Sequence, residues 1–203
     1  MMRRLAFGLV AAACGCGSAP APKVATPCAP QTISVRLLGS DRLNATNEGE
    51  ARPLVTRLYR LKSDSRLDRV AFDQLWHDDK TVLAEDLVKV DEVQLFPGTR
   101  ADLSFPRDPA VQTLVAIGLF QSPRGRTWLY AADLPPLPEP GRCSPTECAP
   151  DDDECRIRAN ANPVIAIYFD SATVDDGTDQ AADYPNAGPR HPKAEVAPKG
   201  PAR

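Results

Sequence analysis

Residues 52–76 read RPLVTRLYRLKSDSRLDRVAFDQLW, and within them the apolar spacing changes from every second residue to every third or fourth. Alternation is what a half-buried strand requires and the longer period is what a helix face requires, so the stretch predicts a strand running into a helix. Pro53 is tolerable at the first position of a strand, where a missing donor matters least. Over 54–62, Arg57, Tyr59 and Leu61 share one face and Thr56, Leu58 and Arg60 the other. Neither face is wholly apolar, which places the strand near a sheet edge or facing a helix. Asp68 is an N-cap candidate, Leu67 before it is placed to staple onto Phe72, and Ala71 and Leu75 continue the stripe. A further turn or two of helix is expected from Asp79.

Working outward, QTISVRLL (31–38) alternates cleanly, with Ile33, Val35 and Leu37 on one face of a first strand. Residues 87–96 read as a strand bulged at Asp91-Glu92, and Phe96-Pro97-Gly98-Thr99 suits a type II turn. Ala101, Leu103 and Phe105 form the inward face of the next strand. Residues 111–120 are the most apolar part of the domain and predict a central strand, joined through Pro123-Arg124-Gly125 to a hairpin partner over 127–131. VIAIYF (164–169) is a last buried strand. Seven short strands with turns every ten or so residues predict a mainly β, two-sheet sandwich, interrupted by a short helical insertion between the second and third strands. Residues 31–171 suffice for one core, and no second domain or repeat is visible.

The ends have a different character. Residues 1–13, MMRRLAFGLVAAA, combine a basic start, an apolar run and small residues before Cys14, as an export signal does. The run is far shorter than the ~20 residues that span a bilayer. Its flank resembles a bacterial lipoprotein signal, which implies cleavage and acylation at Cys14, with Cys16 as the alternative. By the same analogy, a glycine after the anchor is compatible with sorting to the outer membrane. Residues 14–30 are rich in Ala, Pro, Lys and Thr and read as a flexible tether, which the resemblance to lipoprotein signals implies is lipidated. Residues 172–203 carry little apolar surface and read as a disordered tail.

Composition excludes several functions. Loss of Arg3 and Arg4 with the signal takes the formal net charge from −3 to −5, which gives nucleic-acid binding no electrostatic support. The two histidines, His77 at a helix end and His191 in the tail, supply no triad or metal site. No G-x-S-x-G, H-E-x-x-H or phosphate loop occurs, so no catalytic residue, cofactor or metal is assigned. Asn44-Ala45-Thr46 matches a glycosylation sequon, but turn chemistry accounts for it. Trp76 and Trp128 read as core residues. The acid run 151–154 lacks the glycine of a calcium loop and reads as solvated charge. Cys28, Cys143, Cys148 and Cys155 lack paired zinc-ribbon spacing, and in an exported chain they predict two disulfides with three possible pairings. These staple the proline-rich, acidic residues 134–162, a long loop without structure of its own.

The cysteine-terminated signal, the strand ISVRLL, the loop carrying Leu43-Asn44, Gly49 and Pro53, the strand VTRLYRLK, the helix with Phe72 and Leu75, and the pair VAIGLF and TWLY resemble the outer-membrane lipoprotein of type VI secretion, the TssJ family. The resemblance runs from Ile33 to Ala131; the cysteine-bearing insertion and the tail depart from it. It implies a transthyretin-like sandwich held by its lipid at the periplasmic face of the outer membrane. Such a scaffold docks the periplasmic domain of the inner-membrane component TssM. In that family the loop between the first two strands meets the partner, which carries the role here to Asp41, Arg42, Leu43, Asn44, Glu48 and Arg52. Leu43 is the one apolar residue of this polar loop, and it has no obvious core partner. The alternative function is a stand-alone periplasmic binding module for carbohydrate or peptide, which needs a concave aromatic surface; 6% aromatic residues give little to build one.

Overall fold

The structure, a computed structural model, describes residues 27–123, 125–160 and 162–189. The export signal, both anchor candidates (Cys14 and Cys16), most of the tether and residues 190–203 lie outside the described residues. Two sheets pack face to face. One has five strands, in the order β8 (Val174–Asp176), β7 (Val164–Phe169), β1 (Thr32–Gly39), β4 (Thr99–Pro106), β9 (Gly188–Pro189). The other has four, in the order β3 (Leu87–Leu95), β2 (Leu54–Leu61), β5 (Thr113–Gly118), β6 (Leu129–Asp133). Among the described residues only β1 and β7 run parallel, and every other pair is antiparallel. The core between the sheets takes Ile33, Val35 and Leu37 from β1 and Leu54 and Leu58 from β2, with Phe105, Ile167 and Phe169 from the strands beside β1. The mainly β sandwich with a helical insertion is thus as the periodicity requires.

Strand β2 faces a helix and is not at an edge, because β3 and β5 flank it. Its mixed faces follow from a third layer: helices α1 (Phe72–His77) and α2 (Asp79–Leu83) cover the outer side of the sheet. Tyr59 is wholly buried there, its hydroxyl donating to Asp79 at 3.4 Å, and the Arg57 guanidinium lies 4.1 Å over the Trp76 ring while donating to the Trp76 carbonyl. Phe72 stacks on Trp76 and meets Trp128 edge-on at 5.1 Å. Trp128 is buried, as expected.

The helix starts later than Asp68. Residues Ser65–Arg69 form a separate 3-10 turn and Val70 is extended. The Arg126 guanidinium donates to the carbonyls of Leu67 and Asp68, both at 2.8 Å, and so occupies acceptors that a continuous helix would offer to Ala71 and Phe72. The bulge in β3 is also displaced: the register slips at Val88, where Leu61 pairs with Leu87, and not at Asp91-Glu92. Ion pairs across the strands, Arg57 with Glu92 at 3.0 Å and Arg60 with Asp91, hold the expected bulge site in register.

Two further corrections concern the C-terminal part. Residues 134–162 carry structure of their own: a 3-10 turn, Pro145–Glu147, and helix α3, Asp153–Arg158. The acid run works as capping and pairing chemistry, since Asp152 accepts from the Cys155 N–H at 2.9 Å and Asp153 and Glu154 pair with Arg156 and Arg158. The cysteines pair as Cys28–Cys143 and Cys148–Cys155, the first joining the chain ahead of β1 to this insertion. Residues 172–189 are not a free tail. Strand β8 extends β7, β9 extends β4, and both Val174 and Tyr184 are buried. Low apolar content concealed this, because two well-placed apolar residues suffice to dock the segment.

Candidate partner interface

The loop between β1 and β2 has a fastened base and an exposed tip. Ser40 starts it, its N–H donating to the Phe169 carbonyl at 2.9 Å and its own carbonyl accepting from Gly98 at 3.0 Å and Leu43 at 3.2 Å. The Ser40 hydroxyl donates to Asp170 at 2.6 Å, and the Arg52 N–H closes the base on the Leu43 carbonyl at 2.9 Å. Gly39, just before, has to be glycine, since a Cβ there would lie 2.7 Å from the Phe96 carbonyl oxygen. Asn44 ties three segments together. Its N–H donates to the Asp170 carbonyl, its amide nitrogen to the Pro53 carbonyl at 3.1 Å, and its amide oxygen accepts from the Gln121 N–H at 3.0 Å. Its φ of 48° lies in the left-handed region, which asparagine tolerates better than most residues.

Beyond this base the tip has its own fold. Thr46 donates from its N–H to the Glu50 carbonyl at 2.9 Å and accepts from the Gly49 N–H at 3.0 Å. The Glu48 carboxyl is held below the usual carboxylate range, first by its own backbone N–H and then by the Thr46 side chain. Such a tip meets a partner with little ordering entropy left to lose.

The six residues expected at the interface therefore divide. Asp41, Arg42, Glu48 and Arg52 are exposed. Arg42 reaches Asp170 at 3.2 Å and Arg52 reaches Glu50 at 3.7 Å; exposed pairs of this kind contribute little and leave the arginines available. Leu43 and Asn44 face inward. Leu43 is 0% exposed and belongs to the core, so it fixes the loop's shape and offers no surface to a partner. The missing core partner is supplied by the sandwich end closing over it, with Leu43 a near neighbour of Gly39 and Leu95 in the same cluster.

Asp170 and Gln121, on which the loop rests, escaped the sequence reading because they lie 126 and 77 residues from Asn44, beyond any local pattern. Phe96 (48% exposed) and Leu119 (37%) flank the loop at the same end of the sandwich, where β3 and β5 finish. Phe96 had a legible signal, a large apolar residue opening a Pro-Gly turn. Strand β1 starts near the Cys28–Cys143 bond and finishes at this loop, so its eight residues put the two poles roughly 25 Å apart.

A hollow beneath the disulfides is lined by Glu139, Arg142, Asp152, Glu154 and Arg158, which pair with one another. Among the described residues no group of three or more His, Cys, Asp and Glu is placed to hold a metal ion, and no helix is long and apolar enough to cross a membrane.

A family model for the type VI secretion lipoprotein (VasD, EvfM, TssJ) matches residues 31–162. The chain belongs to that family. In fold, the chain is similar to the T6SS lipoprotein TssJ1 of Pseudomonas aeruginosa, with 22% identity and a TM-score of 0.57 over 72% of this chain and 95% of that one. It is also similar to Lip of Serratia marcescens, a membrane-bound component of the type VI secretion system, with 22% identity and a TM-score of 0.56 over 72% and 96%. A chain of a type VI membrane complex follows, at 20% identity and a TM-score of 0.55 over 72% and 97%. No curated protein matches the chain in sequence.

Proposed function

We propose that this lipoprotein is a periplasmic scaffold, acylated at Cys14 (alternatively Cys16) and held in the outer membrane, which docks the periplasmic domain of a TssM-like inner-membrane protein. Contact is made through the tip and flanks of the loop over 41–52. The observation that carries the reading is the loop's construction: a base fastened by Ser40 and Asn44, and a pre-folded, exposed tip at the pole away from Cys28. A partner that approaches from the inner membrane meets that pole first. Membership of the family and a fold shared with a chain of a type VI membrane complex support it.

The test is titration of the purified mature chain with the TssM-like periplasmic domain, comparing wild type with Arg42→Glu, Glu48→Lys, Arg52→Glu and the triple variant. Each charge reversal is expected to weaken binding about 3-fold to 10-fold, chiefly by slowing association. Unchanged affinity in the triple variant would remove the loop from the interface, and absence of binding by the wild type would remove the partner. Mass spectrometry of the mature N-terminus tests the anchor: acyl groups on Cys14 or Cys16 are expected, and an unmodified N-terminus refutes them.

A further inference from the structure

Five large apolar side chains stand out among the described residues: Phe96, Leu119, Leu137, Ile157 and Val164. The first two flank the loop. The two most exposed, Ile157 at 56% and Val164 at 51%, lie together at the opposite pole. They border one hollow between α3 and the start of β7, which Pro135, Pro145 and Pro163 also line. Val164 sits opposite Ser34 on the parallel β1–β7 ladder, at the end where β1 begins. We propose that this face rests on the surface of the lipid bilayer to which the chain is anchored, with Ile157 and Val164 inserted at the headgroup boundary. The inference rests on the reading that the chain is lipid-anchored.

Three observations select lipid over another occupant. The Cys28–Cys143 bond brings the chain that descends from the anchor to within two residues of Pro145, with the two Cα atoms 5.1 Å apart. The hollow is thus covalently fastened beside the point where the tether arrives. The charges of α3 are balanced, Asp153 with Arg156 and Glu154 with Arg158, so the face suits zwitterionic headgroups and does not depend on anionic lipid. Apolar side chains at the rim of an otherwise polar insertion are what interfacial burial uses. Two such residues bind weakly alone, but an anchored domain meets the bilayer at high effective concentration, and weak intrinsic affinity then suffices. Seating this pole on the bilayer would aim the loop over 41–52 directly away from the membrane.

The experiment uses the mature lipidated protein in phosphatidylcholine–phosphatidylethanolamine vesicles, with a protease site placed in the tether so that the same protein can be released. Flotation reports the anchor, and amide hydrogen exchange reports the face. In the attached protein, peptides spanning 153–165 are expected to exchange about 5-fold more slowly than after release, while those spanning 45–50 stay unchanged. Ile157→Asp with Val164→Asp is expected to abolish the difference and leave flotation intact. Flotation without slowed exchange overturns the docked face alone. Failure to float overturns the anchor and, with it, this proposal. Slowing that appears in released protein as its concentration rises identifies a second copy as the occupant and likewise overturns it.

Discussion

The hydroxyl of Tyr184 donates to the carbonyl oxygen of Gly39 at 2.7 Å, joining a residue near the end of the described chain to the last residue of β1. Tyr184 is 1% exposed, packs with Leu38 and Ala166 on the outer face of the five-stranded sheet, and has its own carbonyl bonded by the Arg100 guanidinium. The segment over 172–189 is therefore a clasp on the sheet, set directly behind the candidate interface loop.

Removing that clasp is expected to cost stability in two steps. Tyr184→Phe leaves the Gly39 carbonyl without this donor and is expected to cost about 1–2 kcal/mol. Tyr184→Ala also opens a cavity and is expected to cost about 3–5 kcal/mol. Urea unfolding measures both; an unchanged midpoint for the alanine variant would show that 172–189 is not part of the cooperative unit.

Leu43 and the exposed loop residues are expected to separate cleanly. Leu43→Ala truncates a fully buried core residue and is expected to lose about 2–5 kcal/mol, read as a fall in Tm. Asn44→Ala removes the amide bonds to Pro53 and Gln121 from a left-handed position and is expected to cost roughly 2–3 kcal/mol, with Asn44→Gly milder. Arg42→Glu and Glu48→Lys should leave Tm nearly unchanged while altering partner affinity. Equal Tm for wild type and Leu43→Ala would contradict the core placement.

The two disulfides differ in the length of chain they close. Cys28–Cys143 spans 115 residues and Cys148–Cys155 only 7. On the chain-entropy account, the first contributes about 4–5 kcal/mol and the second about 2 kcal/mol. Thermal melts of Cys28→Ser with Cys143→Ser, against Cys148→Ser with Cys155→Ser, should show the larger drop for the first pair. The reverse order would mean that the short bridge, by shaping α3, matters more than the long closure.

Alkaline pH should destabilise the fold in a defined window. Tyr59, Tyr130 and Tyr184 are each pushed up to about 12, foremost by burial, with nearby carboxylates adding to it. A tyrosine in the unfolded chain ionises near 10, so above that pH the unfolded state releases protons that the native state keeps. Stability is then fully present below pH ~10 and falls as the pH climbs towards 12. Unfolding midpoints across this range, followed alongside tyrosinate absorbance, check the sign; stability that held level through the window would contradict it.

Periodicity alone was enough to place seven of the strands and the helical insertion, because a two-residue alternation and a wide helical stripe each have one way to bury their apolar face. The residue types themselves placed the Pro-Gly turn at 97–98, where Gly98 has a φ of 66°. The polarity and tip of the loop over 41–52 were legible for the same local reason. What local pattern does not carry is the partner of a residue far along the chain. The burial of Leu43, the grip of Asn44 on Gln121, the Cys28–Cys143 bond and the clasp made by Tyr184 all join residues 77 or more apart in sequence, or depend on a surface that such joining creates. Burial is a property of the closed sandwich, so one apolar residue in a polar loop reads as exposed until the end of the sandwich shuts over it.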